Sequence, residues 1–280
     1  MTAALKAPSP GTRPSGVAAE DAPRYVRQLF DRIAPRYDRA NHWLSLGVDR
    51  YWRHRTAAAL EAWLAAGGPG GGAAAPRTAV GGGPAPLLLD VCCGTGDLAF
   101  ALARRSLRRR LGWRVCGADF APRMLAMARR KAAAAEARNG AGAEPAAWLQ
   151  ADSLRLPFAT GAAAAITTGF GFRNLADYRA ALAEFARVLG PGGVLAILEF
   201  SEPAIPGLRA AYGWYFHRLL PRLGAWISGA GEPYSYLPRS VDHFPAAEEL
   251  AAWIAAAGFE GVCFQRLSGG IATLHLARRS

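Results

Sequence analysis

The sequence predicts an α/β fold built on a Rossmann-like, mostly parallel sheet, and three observations predict it. Leu87-Leu88-Leu89-Asp90-Val91 is an apolar run of strand length, as expected for a strand covered on both faces. It passes through Cys92-Cys93 into Gly94-Thr95-Gly96, and Asp97 to Leu102 then opens an amphipathic helix. Strand, glycine turn and helix describe a nucleotide-type cofactor site at the end of a parallel strand. After that stretch, short apolar runs alternate with helical patterns as far as Phe200. Finally, Phe259 to Leu267 and Ile271 to Leu276 both read as strands with only Ser268-Gly269-Gly270 between them. That gap is too short for a parallel crossover, so the chain must close with an antiparallel hairpin.

Residues 1–23 are rich in Pro, Ala, Gly and Ser without an apolar core, which predicts a disordered tail and not a secretory signal. Residues 24–64 are helical in character, broken at Pro35 and near Gly47; Val26, Leu29, Phe30 and Ile33 share one face. Helices ahead of a nucleotide fold serve as a lid over the ligand or as packing, and both roles stay open here. Residues 65–86 are a Gly/Ala/Pro stretch, expected as a flexible surface loop. They carry no GK[ST] and no preceding strand, so they are not a phosphate loop.

Arg114 to Asp119 reads as the second strand, ending in an acid where ribose hydroxyls are commonly bound. Pro122 suits the first turn of the following helix. Ala147 to Ala151 is expected as the third strand, leading into Asp152-Ser153, and Ala163 to Thr168 as the fourth, leading into Gly169-Phe170-Gly171-Phe172-Arg173-Asn174. Tyr178 to Leu189 is a helix stopped by Gly190-Pro191-Gly192-Gly193, and Val194 to Phe200 is the fifth strand. With its closing hairpin, this order fits a class I methyltransferase sheet better than a dinucleotide-binding dehydrogenase.

The chain has 280 residues, half of them hydrophobic, and no apolar run of the roughly 18 residues a membrane span needs. A cytoplasmic location is expected. The formal charge is +12, and every basic residue except Lys6 and Lys131 is arginine. Heavy Ala, Gly, Arg and Pro usage throughout marks this as compositional bias, and no nucleic-acid module accompanies it, so nucleic acid is not an expected partner. Arg104-Arg105 and Arg108-Arg109-Arg110 are expected at the solvated end of one helix. The four cysteines are wrongly spaced for a disulfide framework or a zinc site and read as small reduced thiols.

Gly94 to Ala99 satisfies G-x-G-x-x-[GA], so a nicotinamide cofactor and an NAD-dependent oxidoreductase are legitimate readings. Asp90 favours S-adenosylmethionine instead: it would repel a pyrophosphate but not a methionine ammonium. Asp152 offers an acceptor to an adenine amino group, and Asp119 serves the ribose of either cofactor. The expected cofactor residues are Asp90, Gly94, Thr95, Gly96, Asp119, Asp152 and Ser153.

Further motifs extend this reading. Phe30-Asp31-Arg32-Ile33-Ala34-Pro35-Arg36-Tyr37-Asp38, Leu44-Ser45-Leu46-Gly47, Trp52-Arg53, Asp90 to Asp97, Gly169 to Asn174, Arg187 to Gly193, Glu199-Phe200-Ser201-Glu202-Pro203 and Gly269 to His275 occur in this order. Together they resemble the quinone C-methyltransferase family of menaquinone and ubiquinone biosynthesis, over about residues 24–278. The sequence departs from that pattern at residues 65–86, which look like an insertion, and at Gly169, where some relatives carry serine.

The resemblance implies a methyltransferase domain over 87–280 and methylation of a ring carbon of demethylmenaquinol, with S-adenosylmethionine as donor. The Cys92-Cys93 form of the loop looks more like the naphthoquinone members; a benzoquinol acceptor is the alternative. The resemblance points to Arg173 as the catalytic position. Arginine stays protonated, so its expected role is to stabilise a naphtholate oxygen or orient a water, with Asn174 fixing its geometry. Tyr37, Asp38, His217, His243 and His275 are not assigned catalytic roles. The aromatic stretch from Ile205 to Ile227, interleaved with Arg209, Arg218 and Arg222, is expected to be helical core, a homodimer surface, or a channel for an isoprenoid tail beside an anionic membrane surface.

Overall fold

In a computed structural model of the chain, β1 (Leu87–Val91) is buried over its last four residues, as its unbroken apolar run requires. The structure describes residues 11, 17–18, 20–67, 85–139, 147–203, 205–220, 222, 236, 238 and 240–280. Most of the expected tail, residues 68–84 of the expected loop, and positions 221 and 223–227 of the aromatic stretch lie outside them.

Seven strands form one sheet in the order β3-β2-β1-β4-β5-β7-β6. They are β1, β2 (Arg114–Asp119), β3 (Ala147–Gln150), β4 (Ala163–Gly169), β5 (Leu189–Phe200), β6 (Phe259–Leu267) and β7 (Ala272–Arg279). Only β7 runs against its neighbours, pairing antiparallel with β5 and β6. This is the mostly parallel sheet with a closing hairpin that the sequence predicts. Strand order reverses between β1 and β4, and the crevice beyond their carboxyl ends is where such sheets bind ligands.

Two strand bounds differ from expectation by more than one residue. β5 begins at Leu189 and not Val194, because Leu189 pairs with Ala163 and the Gly190–Gly193 run is absorbed at a register shift, where a proline is tolerated. β7 reaches Arg279 because it lies inside the sheet: Arg278 is buried and its guanidinium donates to the Gly192 carbonyl at 3.1 Å.

Helices cover both faces. α4 (Asp97–Arg109) packs with α3 (Val48–Ala66) on one face, where Leu60, Leu98 and Leu102 meet Leu88, Ala165 and Leu274. On the other, α6 (Tyr178–Val188) and α8 (Ala247–Ala256) bury Tyr178, Leu182, Phe185, Leu250 and Ile254 against Leu89, Ile166 and Ile197. Asp177 caps α6 by accepting from the backbone amides of Arg179 and Ala180, a contribution of about 1 kcal/mol. Along α4, Arg104, Arg108 and Arg109 are exposed as expected, while Arg105 is drawn inward onto Glu61 of α3.

The N-terminal helices divide the two roles left open by the sequence. α3 belongs to the core, with Trp52 buried and its indole N–H donating to Ser268 Oγ at 2.9 Å. α1 (Ala22–Ile33) and α2 (Tyr37–Leu44), joined by a turn at Ala34–Arg36, lie over the carboxyl ends of the strands. α1 packs on α5 (Pro122–Asn139), where Ile33 meets Met124 and the Arg123 amide donates to Asp31. α2 meets α7 (Pro206–Trp214) and the helical turn after it, where Leu44 packs with Tyr212, Phe216 and Leu220.

Candidate functional site

Two cavities open under the α1–α2 roof. The first, of about 490 Å³, lies at the carboxyl ends of β1 to β4 and is lined by Asp90, Gly94, Thr95, Asp119, Asp152 and Ser153. Folding thus gathers six of the seven cofactor residues expected from the sequence. Gly96, the seventh, shapes the turn: its φ is +88°, and a Cβ there would lie 2.2 Å from the Trp148 ring.

Register explains the acids. Asp90 sits opposite Thr167 of β4, whose hydroxyl donates to it at 2.9 Å, and the Ala99 amide of α4 donates to its other oxygen at 2.9 Å. Asp119 ends β2 and accepts from the Gly94 and Ala121 amides, both at 2.8 Å, tying the glycine turn to the second strand. Asp152 is exposed and accepts from the Leu154 amide; Ser153 is buried beside Cys92 Sγ at 3.1 Å. Burial pushes the thiols of Cys92 and Cys93 up, so both are protonated at neutral pH and inert, in line with the reading of small reduced thiols.

Burial also raises the Asp90 carboxyl to about 7 and that of Asp119 to about 6, against the hydrogen bonds that favour their charged forms. Both folded values exceed the unfolded ones near 3.8, so between these limits the folded protein binds more protons. Their contribution to stability is complete below the unfolded values and is lost as pH rises through 6 and 7. The ligand-free protein is therefore expected to lose stability, on the order of a few kcal/mol, between about pH 5 and about pH 8. Asp90→Asn should flatten that slope in urea titrations; an unchanged slope would remove Asp90 as its source.

The roof is latched to the glycine turn by charge. Asp38 of α2 accepts from the Thr95 hydroxyl and from Lys131 Nζ at 2.9 Å, and Lys131 also reaches Asp97 at 2.5 Å. Arg53 and His42 extend the network through Asp49 and Asp97. His42, Asp49 and Asp97 bring ligand-type atoms within 4.8 Å of one another, but Arg53 and Lys131 already neutralise those carboxylates, which makes an ion-pair network and not a metal centre. Sequence reasoning missed this latch. Its one signal was Lys131, a lone lysine in the helix where the chain elsewhere uses arginine.

The second cavity, of about 340 Å³, is lined by aromatic and aliphatic side chains, among them Trp52, Phe200, Tyr212, Tyr215, Phe216 and Leu220. It shares Phe30, Tyr37, Arg53 and Phe170 with the first, so the two adjoin. Part of the Ile205–Ile227 stretch thus lines a greasy cavity.

Arg173 enters that cavity from the turn after β4 and is 4% exposed. Nη1 donates to Glu199 Oε1 and to the Phe170 carbonyl, each at 2.5 Å, and Nε to Ser240 at 3.3 Å. Its backbone amide also donates to Glu199, at 3.1 Å, and its guanidinium lies 5.3 Å from the Phe200 ring centroid. Burial is the largest influence and works against the charge, but Glu199, with Tyr37 and Tyr236, more than offsets it and holds the guanidinium protonated. The expectation that Asn174 fixes this geometry is corrected: Asn174 lines the first cavity, and its Oδ1 accepts from the Tyr236 hydroxyl at 3.1 Å. The three-residue helical turn at Phe172–Asn174 sends the neighbouring side chains to different cavities, and Glu199 at the end of β5 does the positioning.

The histidines left unassigned are accounted for in part. His275 Nε2 donates to the Ala247 carbonyl at 2.9 Å inside the hairpin, and His217 pairs with Asp242 at 3.5 Å.

Residues 18–279 match the model of the ubiE/COQ5 methyltransferase family. The chain is 47% identical over 252 residues to a demethylmenaquinone methyltransferase of Thermus thermophilus, covering 90% of this chain and all of that one. It is 42% identical to the protein of the same description from Deinococcus radiodurans, covering 93% and 95% of the two chains. Among solved structures, a SAM-dependent methyltransferase of Thermotoga maritima superposes with a TM-score of 0.51 at 16% identity, over 90% of this chain and 99% of that one, which shows the shared fold.

Proposed function

The chain belongs to the ubiE/COQ5 methyltransferase family, and from that premise we propose that it methylates a ring carbon of demethylmenaquinol with S-adenosylmethionine as donor. The observation that carries this reading is the aromatic cavity abutting the acid-lined one, with the buried Arg173 cation in its wall.

The residues of the first cavity fit the donor. Asp119 suits the ribose hydroxyls, Asp152 and Ser153 the adenine edge, and Asp90 with the Gly94-Thr95-Gly96 turn the amino-acid end. Bound there, S-adenosylmethionine supplies a methyl group on a positively charged sulfur. A ring carbon attacks such a methyl only when electrons are pushed into the ring, so the acceptor must be the reduced quinol. Loss of one phenolic proton makes the adjacent carbon nucleophilic; the new C–C bond forms as the S–C bond breaks, and the proton on that carbon leaves to restore the aromatic ring. Arg173 stabilises the naphtholate oxygen as it forms and stays protonated throughout. The aromatic walls orient the ring and exclude water. Incubation with labelled S-adenosylmethionine and reduced demethylmenaquinone should place label on the naphthoquinol in preference to a benzoquinol. Absence of transfer to either would overturn the reading; preference for the benzoquinol would reassign the acceptor.

The cavity mouth supports contact with an anionic membrane surface, where a substrate with an isoprenoid tail resides. Leu46 borders the cavity and is 87% exposed, with a φ of +52° that leucine rarely adopts. Trp43 and Trp214 are exposed nearby on α2 and α7, and Arg218 and Arg222 face solvent. Arg209, expected among these cations, is already paired with Glu202. No helix among the described residues is long and apolar enough to cross a membrane. Leu46→Asn should relieve the backbone strain, keeping or raising the melting temperature, while weakening retention on anionic liposomes at low salt. Unchanged retention would remove Leu46 from the contact.

A further inference from the structure

Among the described residues, three buried side-chain polar atoms lack a hydrogen-bond partner: Thr168 Oγ1, His275 Nδ1 and the Tyr212 hydroxyl. Of these only Tyr212 lines a cavity, the aromatic one. Its ring is held in place by stacking on Phe216, with centroids 4.9 Å apart and planes 20° from parallel.

Two other tyrosines of that wall have spent their hydroxyls on the protein: Tyr215 donates to the Leu44 carbonyl at 2.6 Å, and Tyr236 donates to Asn174 Oδ1 at 3.1 Å. A buried hydroxyl without a partner destabilises the fold, and phenylalanine would stack on Phe216 equally well without that cost. The fold therefore gains nothing from the Tyr212 oxygen, whereas a ligand with a ring oxygen would satisfy it. Burial raises this hydroxyl's pKa, so it is neutral and able both to donate and to accept; Arg173 is the foremost charge acting on it.

We propose that the Tyr212 hydroxyl hydrogen-bonds a ring oxygen of an aromatic diol acceptor, and so positions the ring in the cavity that Arg173 enters. This rests on the reading of the second cavity as the acceptor site. It adds to Arg173 a second, neutral group that meets a ring oxygen of the acceptor.

The test compares 1,4-dihydroxynaphthalene with naphthalene, which lacks both oxygens, as ligands of the protein saturated with S-adenosylhomocysteine. Wild type should bind the diol more tightly, a measurement that needs no variant. Tyr212→Phe should keep or raise the melting temperature and leave S-adenosylhomocysteine affinity unchanged. It should cut the diol-to-naphthalene preference by about tenfold, the equivalent of one lost hydrogen bond, and raise the acceptor KM more than it lowers kcat. A variant that keeps the wild-type preference overturns the role of Tyr212 while leaving the acceptor site standing. Failure of wild type to bind either ring overturns the acceptor site and this inference with it.

Discussion

Arg173→Lys is expected to lower kcat for quinol methylation by about 100-fold or more, while S-adenosylhomocysteine binds as it does to wild type. From one planar fork the guanidinium reaches Glu199, the Phe170 carbonyl and Ser240. An ammonium on a shorter reach keeps the charge but cannot hold that arrangement, so it meets a developing naphtholate oxygen from the wrong place. Loss of one preorganised donor at a developing oxyanion costs roughly 10²–10³ in kcat. The first cavity is lined by Asp90, Asp119 and Asp152 and not by Arg173, which is why cofactor affinity should not follow. Single-turnover methylation beside calorimetric titration with S-adenosylhomocysteine separates the two. Unchanged turnover would leave Arg173 as nothing more than the tie that joins its turn to Glu199.

Glu199→Ala should be the most destabilising single change at this site. Glu199 and Arg173 are 1% and 4% exposed, so removing the carboxylate strands a buried cation and takes an acceptor from the Arg173 backbone amide. Breaking such a pair from one side costs about 3–5 kcal/mol, a melting-temperature loss of very roughly 10 °C for a domain of this size. Replacing both partners, as in Arg173→Met with Glu199→Leu, should recover most of that loss, because the two desolvated charges leave together. Urea titrations of the single and double variants measure the difference. A single variant as stable as wild type would mean that solvent reaches the guanidinium.

Much of the fold was legible because β-strands and helix starts leave local marks. β2 runs from Arg114 to Asp119 as its apolar run and terminal acid predict, and the three-residue gap at 268–270 could only close a hairpin. The breaks at Pro35 and Gly47 separate α1, α2 and α3 as expected. β5 was misread at its start because a Gly-Pro-Gly-Gly run looks like a turn; only its partner Ala163 shows that pairing has already begun there. The three acids that line the first cavity were legible for the same reason as the strands, since each stands at or just past a strand's carboxyl end. Their own partners, Thr167 and Ala99 for Asp90, were not.

By itself, the sequence determined the α/β sheet, the glycine turn with its three acids, and through its ordered motifs the family to which the chain belongs. Each of these is written in neighbouring residues, at the two-residue period of a strand or the spacing of a turn. The tertiary structure alone decided that α3 is core while α1 and α2 roof the site. It also decided that Asp38 latches the roof to Thr95, that Glu199 and not Asn174 positions Arg173, and that Tyr212 is left with an unsatisfied hydroxyl. The physical reason is distance along the chain. Asp38 and Thr95 are 57 residues apart, Arg173 and Glu199 26, and the Tyr215–Leu44 bond that joins the turn after α7 to the roof spans 171. Local periodicity carries no record of such pairings; they exist only once the sheet has brought its carboxyl ends together beneath the N-terminal helices.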